Sequence, residues 1–137
     1  MSEPAIVVLV IVLVLFHIGF LMFVIRMVAG NAGFVANSDF SSLGEFRESY
    51  GTGSLQIGMI SFSNCLTVDR YEHGYLIQLW KILGGGERAI LFSDVVSTTV
   101  GHYLRFMDST TLGLDNGDEL RFFGKVARKI VEDRYSN

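Results

Sequence analysis

An uninterrupted apolar segment near the N-terminus, Ala5–Ile25, constrains the fold of this chain more than any other feature. Its 21 residues carry no formal charge, and His17 is the one ionisable side chain among them. At a rise of about 1.5 Å per residue, about 20 apolar residues in a helix cross a hydrocarbon core of roughly 30 Å. The segment therefore predicts a transmembrane helix, which we assign to a membrane anchor over residues 1–30.

A cleaved signal sequence is the alternative interpretation of this segment. The residues before it, Met1–Pro4, contain no Lys or Arg, and the apolar run exceeds the roughly 7–15 residues of a signal core. Both observations favour a retained anchor. Glu3 precedes the run and Arg26 follows it. Because positive residues that flank membrane helices are enriched on the cytoplasmic side, this asymmetry predicts a cytoplasmic C-terminal domain. We expect a single-pass protein of the cell membrane.

Two residues inside the predicted span stand out as candidate contacts with another membrane subunit. A histidine at membrane depth usually faces protein or water, so His17 indicates either a partner contact, including a pigment or haem, or an imidazole bonded to its own backbone. Gly19 allows a close approach of helices, but no second small residue at the spacing of a helix-dimer motif accompanies it. A glycine-mediated homodimer is therefore not indicated, and no cofactor is expected.

The charge balance and the single cysteine exclude several classes of function. The net charge is −3, with 13 of 14 acidic and 10 of 11 basic residues after position 30. Nucleic-acid binding requires a basic excess, so nucleic acid is not an expected partner. Cys65 is the one cysteine, which rules out an internal disulfide and any multi-cysteine metal motif.

Residues 31–53 read as a juxtamembrane linker. Asn31–Ser38 is rich in small and polar residues and predicts a flexible exit from the membrane. Ser42 and Glu45 have the spacing of a helix capping box, which predicts a short helix over residues 43–50. Its apolar face either packs on the following domain or forms an interface with the bilayer or a partner. That face consists of Phe40, Leu43, Phe46 and Tyr50.

From residue 54 onward the hydrophobic pattern changes to period two, which predicts a mainly-β domain over residues 54–137. About seven short strands are indicated, beginning with a strand over residues 55–63 that ends at a turn signal, Asn64. His73-Gly74 and Asn116-Gly117 are the hairpin candidates, of which the second is the stronger. Trp80 lies in the third predicted strand, as a core residue or as an exposed interface anchor.

The last segment, Gly124–Tyr135, changes period again and predicts an amphipathic helix. Its apolar stripe comprises Val126, Ala127, Ile130 and Val131. Lys125, Arg128 and Lys129 form the basic side, either a solvated face or a surface for lipid phosphates.

Seven antiparallel strands followed by one C-terminal helix resemble the pleckstrin-homology-like (PH-like) fold, and in particular small bacterial PH-like domains beside membrane helices. The resemblance covers about residues 54–135 and is carried by the stretches IGMISFSNCLTVDRYEHGYLIQL and RAILFSDVVST. It implies a peptide or phosphoinositide site near the first two strands. Ser63 and Asn64 stand where lipid-binding members have a basic loop, so phosphoinositide binding is not expected.

No catalytic set of residues is apparent in the sequence. The sequence contains no serine in the G-x-S-x-G context of a nucleophile elbow. It also contains no glycine loop followed by a Lys and a helix, as a phosphate-binding loop requires. We therefore expect a non-enzymatic accessory subunit that docks onto and stabilises a larger membrane complex. The alternative is a membrane-tethered PH-like module that binds a peptide or a lipid headgroup.

Overall fold

The computed structural model of the chain describes residues 2–35, 40–81, 85–103 and 107–135. Its elements are helix α1 (Glu3–Asn31), strands β1 (Phe46–Ile57), β2 (Ile60–Tyr71), β3 (Gly74–Leu79), β4 (Glu87–Leu91), β5 (Val95–Tyr103), β6 (Met107–Leu114) and β7 (Glu119–Phe123), and helix α2 (Gly124–Tyr135). The predicted fold class, one N-terminal apolar helix plus a mainly-β PH-like domain with a C-terminal helix, is confirmed.

Helix α1 contains the whole predicted span and continues to Asn31. Its 29 residues correspond to about 43 Å of helix. Pro4 lies in the first turn, where its missing N–H and fixed φ are tolerated. By length and composition α1 is able to cross a membrane, a property that it shares with signal sequences. From Glu3 to Leu21 its side chains are exposed, so none of the described part of the domain covers this stretch.

The seven strands form one antiparallel sheet in the order β4-β3-β2-β1-β7-β6-β5. β1 joins the two halves of the sheet. It pairs with β2 along its length, and its last residues, Ser54–Ile57, also pair with Leu120–Phe123 of β7. Register shifts interrupt the β1–β2 ladder, and Gly51 adopts a left-handed φ of +86° at one of them. Such bulges bend a strand, which lets β1 serve both halves of the sheet.

The start of β1 corrects the prediction of a helix over residues 43–50. Only Ser41–Leu43 forms a single 3₁₀ turn, and Gly44 with φ +79° then redirects the chain. β1 follows from Phe46, paired with Tyr71 of β2. The capping-box spacing was a local signal, and pairing with a strand 25 residues away in the sequence outweighs it. The sheet thus begins inside the stretch that the sequence assigned to the linker.

The turns between strands agree only in part with the predictions. The predicted single strand over residues 55–63 is wrong, because Gly58 and Met59 form the turn between β1 and β2. Asn64 lies within β2 with a φ of +50° instead of ending a strand. The Asn116-Gly117 hairpin between β6 and β7 is confirmed. Residues 104–106, predicted as strand, lie outside the described residues.

Helix α2 packs its apolar face on the inner side of β1, β6 and β7. Val126, Ala127 and Ile130 are fully buried as predicted, and Val131 is half-buried. Thr110 of β6 donates its hydroxyl proton to the carbonyl oxygen of Ala127 at 2.9 Å. The residues of the sheet that complete this core include Leu55, Leu66, Val68, Ile77, Leu112, Leu120 and Phe122. A bent sheet that buries its inner face under one helix is the arrangement of a PH-like fold.

Candidate functional site

The end of α1 is fixed to the domain, in contrast to the predicted flexible exit. Ala29, Ala32 and Phe34 are buried, and the Phe34 ring packs edge-on against Phe62 with 5.3 Å between centroids. Val35 forms a bridge with Glu87, the first residue of β4, through backbone hydrogen bonds of 3.0 and 2.9 Å. The chain between helix and sheet therefore adds a short stretch of strand pairing to the β4 edge. Residues 36–38 of the predicted exit lie outside the described residues.

Arg88 ties this junction together. Its Nη1 donates a hydrogen bond to the carbonyl oxygen of Ala32 at 2.5 Å, and its Nη2 pairs with the Oδ2 of Asp118 at 2.7 Å. The Arg88 side chain is 11% exposed and is therefore largely shielded from solvent, whereas the Asp118 side chain is 46% exposed. Because backbone carbonyls at a helix C-terminus carry partial negative charge, a cation there is stabilising. The last turn of α1 contains no basic residue, and Arg88 supplies the charge from β4.

A crevice of about 230 Å³ lies between α1 and the sheet. It forms because β3 ends at Leu79, opposite Leu66, so that the first six residues of β2 extend beyond β3 and lie beside the helix. The crevice is lined by Val24, Ile25, Val28, Ser61, Phe62, Ser63, Cys65 and Leu79. The Cys65 thiol is half-buried here, and burial raises its pKa. Sequence reasoning missed this crevice, because no local pattern reveals that α1 returns to β2.

His17 and Gly19 lie on the exposed part of α1, away from the domain. His17 Nδ1 donates a hydrogen bond to the carbonyl oxygen of Leu13 at 2.7 Å, which satisfies one imidazole nitrogen within the helix. This geometry is the backbone-bonded alternative of the two that the sequence left open. A Cβ added at Gly19 would meet nothing within 4 Å. Both residues therefore lie on the exposed surface of α1.

The candidate interface formed by the juxtamembrane segment divides between interior and surface. Leu43 and Tyr50 are buried in the domain, so neither is available to a bilayer or a partner. The packing interpretation of this segment therefore holds for both. Phe40 is half-buried before the 3₁₀ turn. Phe46 is exposed and packs edge-on against Tyr71, with 5.6 Å between ring centroids.

The remaining candidate interface residues lie on the surface. Trp80, at the end of β3, is 44% exposed, and its N–H donates to the carbonyl oxygen of Cys65 at 3.0 Å. On α2, Lys125 is exposed, Arg128 lies 3.6 Å from Asp108, and Lys129 lies 3.4 Å from Glu48. Acidic partners beside two of the three basic residues reduce the positive potential of this face. A lipid-phosphate site on α2 therefore gains no support from its surroundings.

A polar cluster that the sequence did not reveal fixes α2 to the sheet. Asp133 accepts hydrogen bonds from Arg70 Nε at 2.9 Å and from the Tyr75 hydroxyl at 2.8 Å. Arg70 also lies over the Phe92 ring, 4.5 Å from its centroid. Burial, followed by the hydrogen bond and charge of Asp133, raises the pKa of Tyr75 far above its ordinary value. The cluster is a tertiary contact between α2 and the sheet, and no local sequence signal indicates it because Arg70 and Asp133 are separated by 63 positions.

Two histidines of the described β domain lie beside acidic side chains. His73 lies 3.4 Å from Glu72, and His102 lies 3.4 Å from Asp108, both on the surface. Within residues 2–35, 40–81, 85–103 and 107–135, no three His, Cys, Asp or Glu side chains come together as a metal site would require.

The structure is a seven-stranded antiparallel β domain with a C-terminal helix, compatible with a PH-like fold and packed against the end of a long apolar helix. No protein-family model, no curated protein and no solved structure gives a significant match to the chain. The function is therefore inferred from the geometry alone.

Proposed function

We propose that this chain is a non-enzymatic, single-pass membrane accessory subunit that docks onto and stabilises a larger membrane protein complex. In this proposal α1 crosses the cell membrane and packs against other integral subunits, while the PH-like domain lies on the cytoplasmic surface of the assembly. Bilayer and integral membrane subunits are the partners, and neither nucleic acid nor a phosphoinositide is.

The rigid junction is the observation that carries this proposal. Phe34 packed on Phe62, the Val35–Glu87 bridge and the two interactions of Arg88 fix the orientation of the domain relative to α1. A subunit that contacts its partner both within the membrane and at the surface benefits from such a fixed orientation, because the second contact then costs little additional ordering. A module that captures soluble ligands gains nothing from it and functions equally well on a flexible tether.

The test is purification of the tagged full-length chain from its native membrane in a mild detergent, followed by native electrophoresis and mass spectrometry. We expect the chain to resist alkaline carbonate extraction and to migrate with a large assembly of integral proteins. Migration alone, or release into the aqueous wash, would overturn the proposal.

Two matched pairs of variants sharpen this experiment. Arg88→Gln loosens the junction and should weaken co-migration, whereas Arg47→Gln, which alters an exposed arginine of β1, should not. His17→Leu tests an intramembrane contact, with Ile18→Leu one residue along the helix as its control. Loss of the assembly in Arg47→Gln to the same extent as in Arg88→Gln would contradict a role for the junction.

A membrane-tethered module that binds an extended peptide is the second candidate, and the β5 edge of the sheet favours it. β5 is an edge strand of the described sheet, where it pairs with β6, and its side chains Val96 and Val100 are 67% and 52% exposed. Val100 also lines a groove of about 290 Å³ between the sheet and Ala127 and Val131 of α2. An exposed edge strand is able to accept a further strand through backbone hydrogen bonds.

This candidate predicts a different result in the same purification. The chain would migrate alone, and in nanodiscs it would capture peptides from a random library. Val100→Asp should abolish this capture, whereas Met59→Asp, at the fully exposed β1–β2 turn, should retain it.

A further inference from the structure

The crevice between α1 and β2 lies at the depth where the apolar span ends. Val24 and Ile25, two of its lining residues, are the last two residues of the uncharged run, and Arg26 follows them directly. A helix whose apolar run fills the hydrocarbon core places these residues at the boundary with the headgroups. One wall of the crevice is therefore continuous with the apolar surface of α1 that faces the bilayer.

The lining of the crevice is mainly apolar. Phe62, Cys65 and Leu79 provide the wall opposite the helix, and the hydroxyls of Ser61 and Ser63 are its polar side-chain groups. Its volume is about 230 Å³. Apolar cavities take up apolar molecules, and beside a bilayer the apolar occupant at hand is an acyl chain.

The residues around the crevice match the headgroup region. Trp80 donates a backbone hydrogen bond to Cys65, and the residue is 44% exposed. The side chain of tryptophan is amphipathic. Tryptophan is enriched at both membrane–water boundaries for this reason. Two exposed cations lie close by in the sequence: Arg26 follows the lining residue Ile25, and Lys81 follows Trp80. Both are able to neutralise the phosphate of a lipid headgroup.

We propose that this crevice holds an acyl chain of a bilayer phospholipid and that Trp80 lies in the headgroup layer beside it. The inference rests on α1 crossing a membrane, as in the proposed function, and adds a lipid site formed jointly by α1 and the sheet. A bound chain fills the gap between α1 and β2, and so completes the junction to which Phe34 and Arg88 contribute.

Photo-crosslinking in reconstituted vesicles tests the site. The full-length chain is inserted into phosphatidylcholine–phosphatidylglycerol vesicles that contain a phospholipid with a diazirine on its acyl chain, and the adducts are mapped by mass spectrometry. We expect adducts on Phe62–Cys65 and Leu79 in addition to adducts along α1. Adducts confined to α1 would overturn the crevice proposal while leaving the membrane span intact, and no adducts on α1 would overturn the span itself.

A matched pair of variants separates occupancy of the crevice from mere closeness to lipid. Val28→Phe fills the crevice and should lower the adducts on β2 several-fold, whereas Met27→Phe, on an exposed face of α1, should leave them unchanged. Equal loss in both variants would contradict the proposal. A short bis-maleimide that joins two chains through Cys65 would instead identify a second copy as the occupant.

The fluorescence of Trp80, the one tryptophan in the chain, gives an independent measurement. Phospholipids brominated near the headgroup end of the chain should quench it more strongly than those brominated near the terminal methyl group. Equal or no quenching by both would show that Trp80 lies outside the headgroup layer and would overturn this part of the proposal.

Discussion

Arg88 and Asp118 form an ion pair of 2.7 Å that joins the β4 edge to the turn between β6 and β7. The same guanidinium donates to the carbonyl oxygen of Ala32 at the end of α1. One side chain thus connects three segments that are distant in sequence, and the orientation of the helix on the domain depends on it.

Replacing Arg88 with Gln should loosen the junction without unfolding the sheet. The substitution removes the charge-assisted contacts of a largely buried guanidinium with Asp118 and with the carbonyl oxygen of Ala32, and we expect a local loss of about 1.5–3 kcal/mol. Amide hydrogen exchange of residues 29–35 in detergent micelles should speed up accordingly, while exchange in β2 and β3 stays slow. Arg47→Gln, at an exposed arginine paired with Glu72 at 3.8 Å, is the control. Unchanged exchange at Ala32 in Arg88→Gln would contradict this account.

The two helices were accessible from the sequence because their signals are local. An unbroken apolar run defines α1, and a period of 3.6 residues within Gly124–Tyr135 defines α2 to the residue. The hairpin at Asn116-Gly117 was equally readable, since its turn chemistry is contained in two residues. In each case the residues that decide the structure are close together in the chain.

The junction and the start of β1 were not accessible, because their partners are distant. Phe46 becomes strand through Tyr71, and Ala32 is held by Arg88, 56 residues further on. Glycine-rich and polar composition made the segment after α1 resemble a linker, although Phe34 within it is 5% exposed. Among the candidate interface residues, Trp80 is exposed and Leu43 is buried. Both outcomes depend on packing between segments that are distant in the sequence.

Asp133 should be the residue of α2 whose charge matters most for stability. Asp133→Asn removes the charge that pairs with Arg70 and receives the Tyr75 hydroxyl, which we expect to cost about 1–3 kcal/mol. Urea unfolding of the full-length chain in micelles measures this change. Glu132→Gln, an exposed neighbour on the same helix, should change stability by less than about 0.5 kcal/mol. A larger effect at Glu132 than at Asp133 would refute the assignment.

Two buried phenols should make the domain sensitive to alkali. Burial, with added contributions from Asp133, raises the pKa of both Tyr50 and Tyr75 above the ordinary value of about 10. Above pH 10 the unfolded chain therefore binds fewer protons than the folded one, so the free energy of unfolding falls as pH rises, by up to about 1.4 kcal/mol per pH unit for each phenol. Below pH 10 this contribution is fully present.

Unfolding measured by denaturant between pH 8 and pH 12 gives this slope. Tyr50→Phe should reduce the slope by the share of one phenol, whereas Tyr135→Phe, at a residue 62% exposed, should leave it unchanged. Ultraviolet absorbance should show that the two buried phenols ionise together with unfolding. Ionisation of all tyrosines near pH 10 in the folded chain would exclude the proposed burial effect.

Leu43 and Phe46 provide the sharpest test of how the segment after the linker is packed. Leu43 is fully buried against Gly74, and its carbonyl oxygen accepts the N–H of His73 at 2.9 Å. Leu43→Ala should therefore cost about 2–5 kcal/mol through lost burial and the cavity that remains. Phe46 is 56% exposed with one edge-on ring partner, so Phe46→Ala should cost no more than about 1.5 kcal/mol.

A membrane-lying helix over residues 43–50 would reverse this order. In that arrangement Phe46→Ala would weaken membrane attachment, and Leu43→Ala would leave the stability of the sheet unchanged. Urea unfolding and vesicle flotation of both variants distinguish the two arrangements. We expect Leu43→Ala to lower the unfolding midpoint strongly with flotation unaltered, because its side chain stabilises the turn that starts β1 and does not contact lipid.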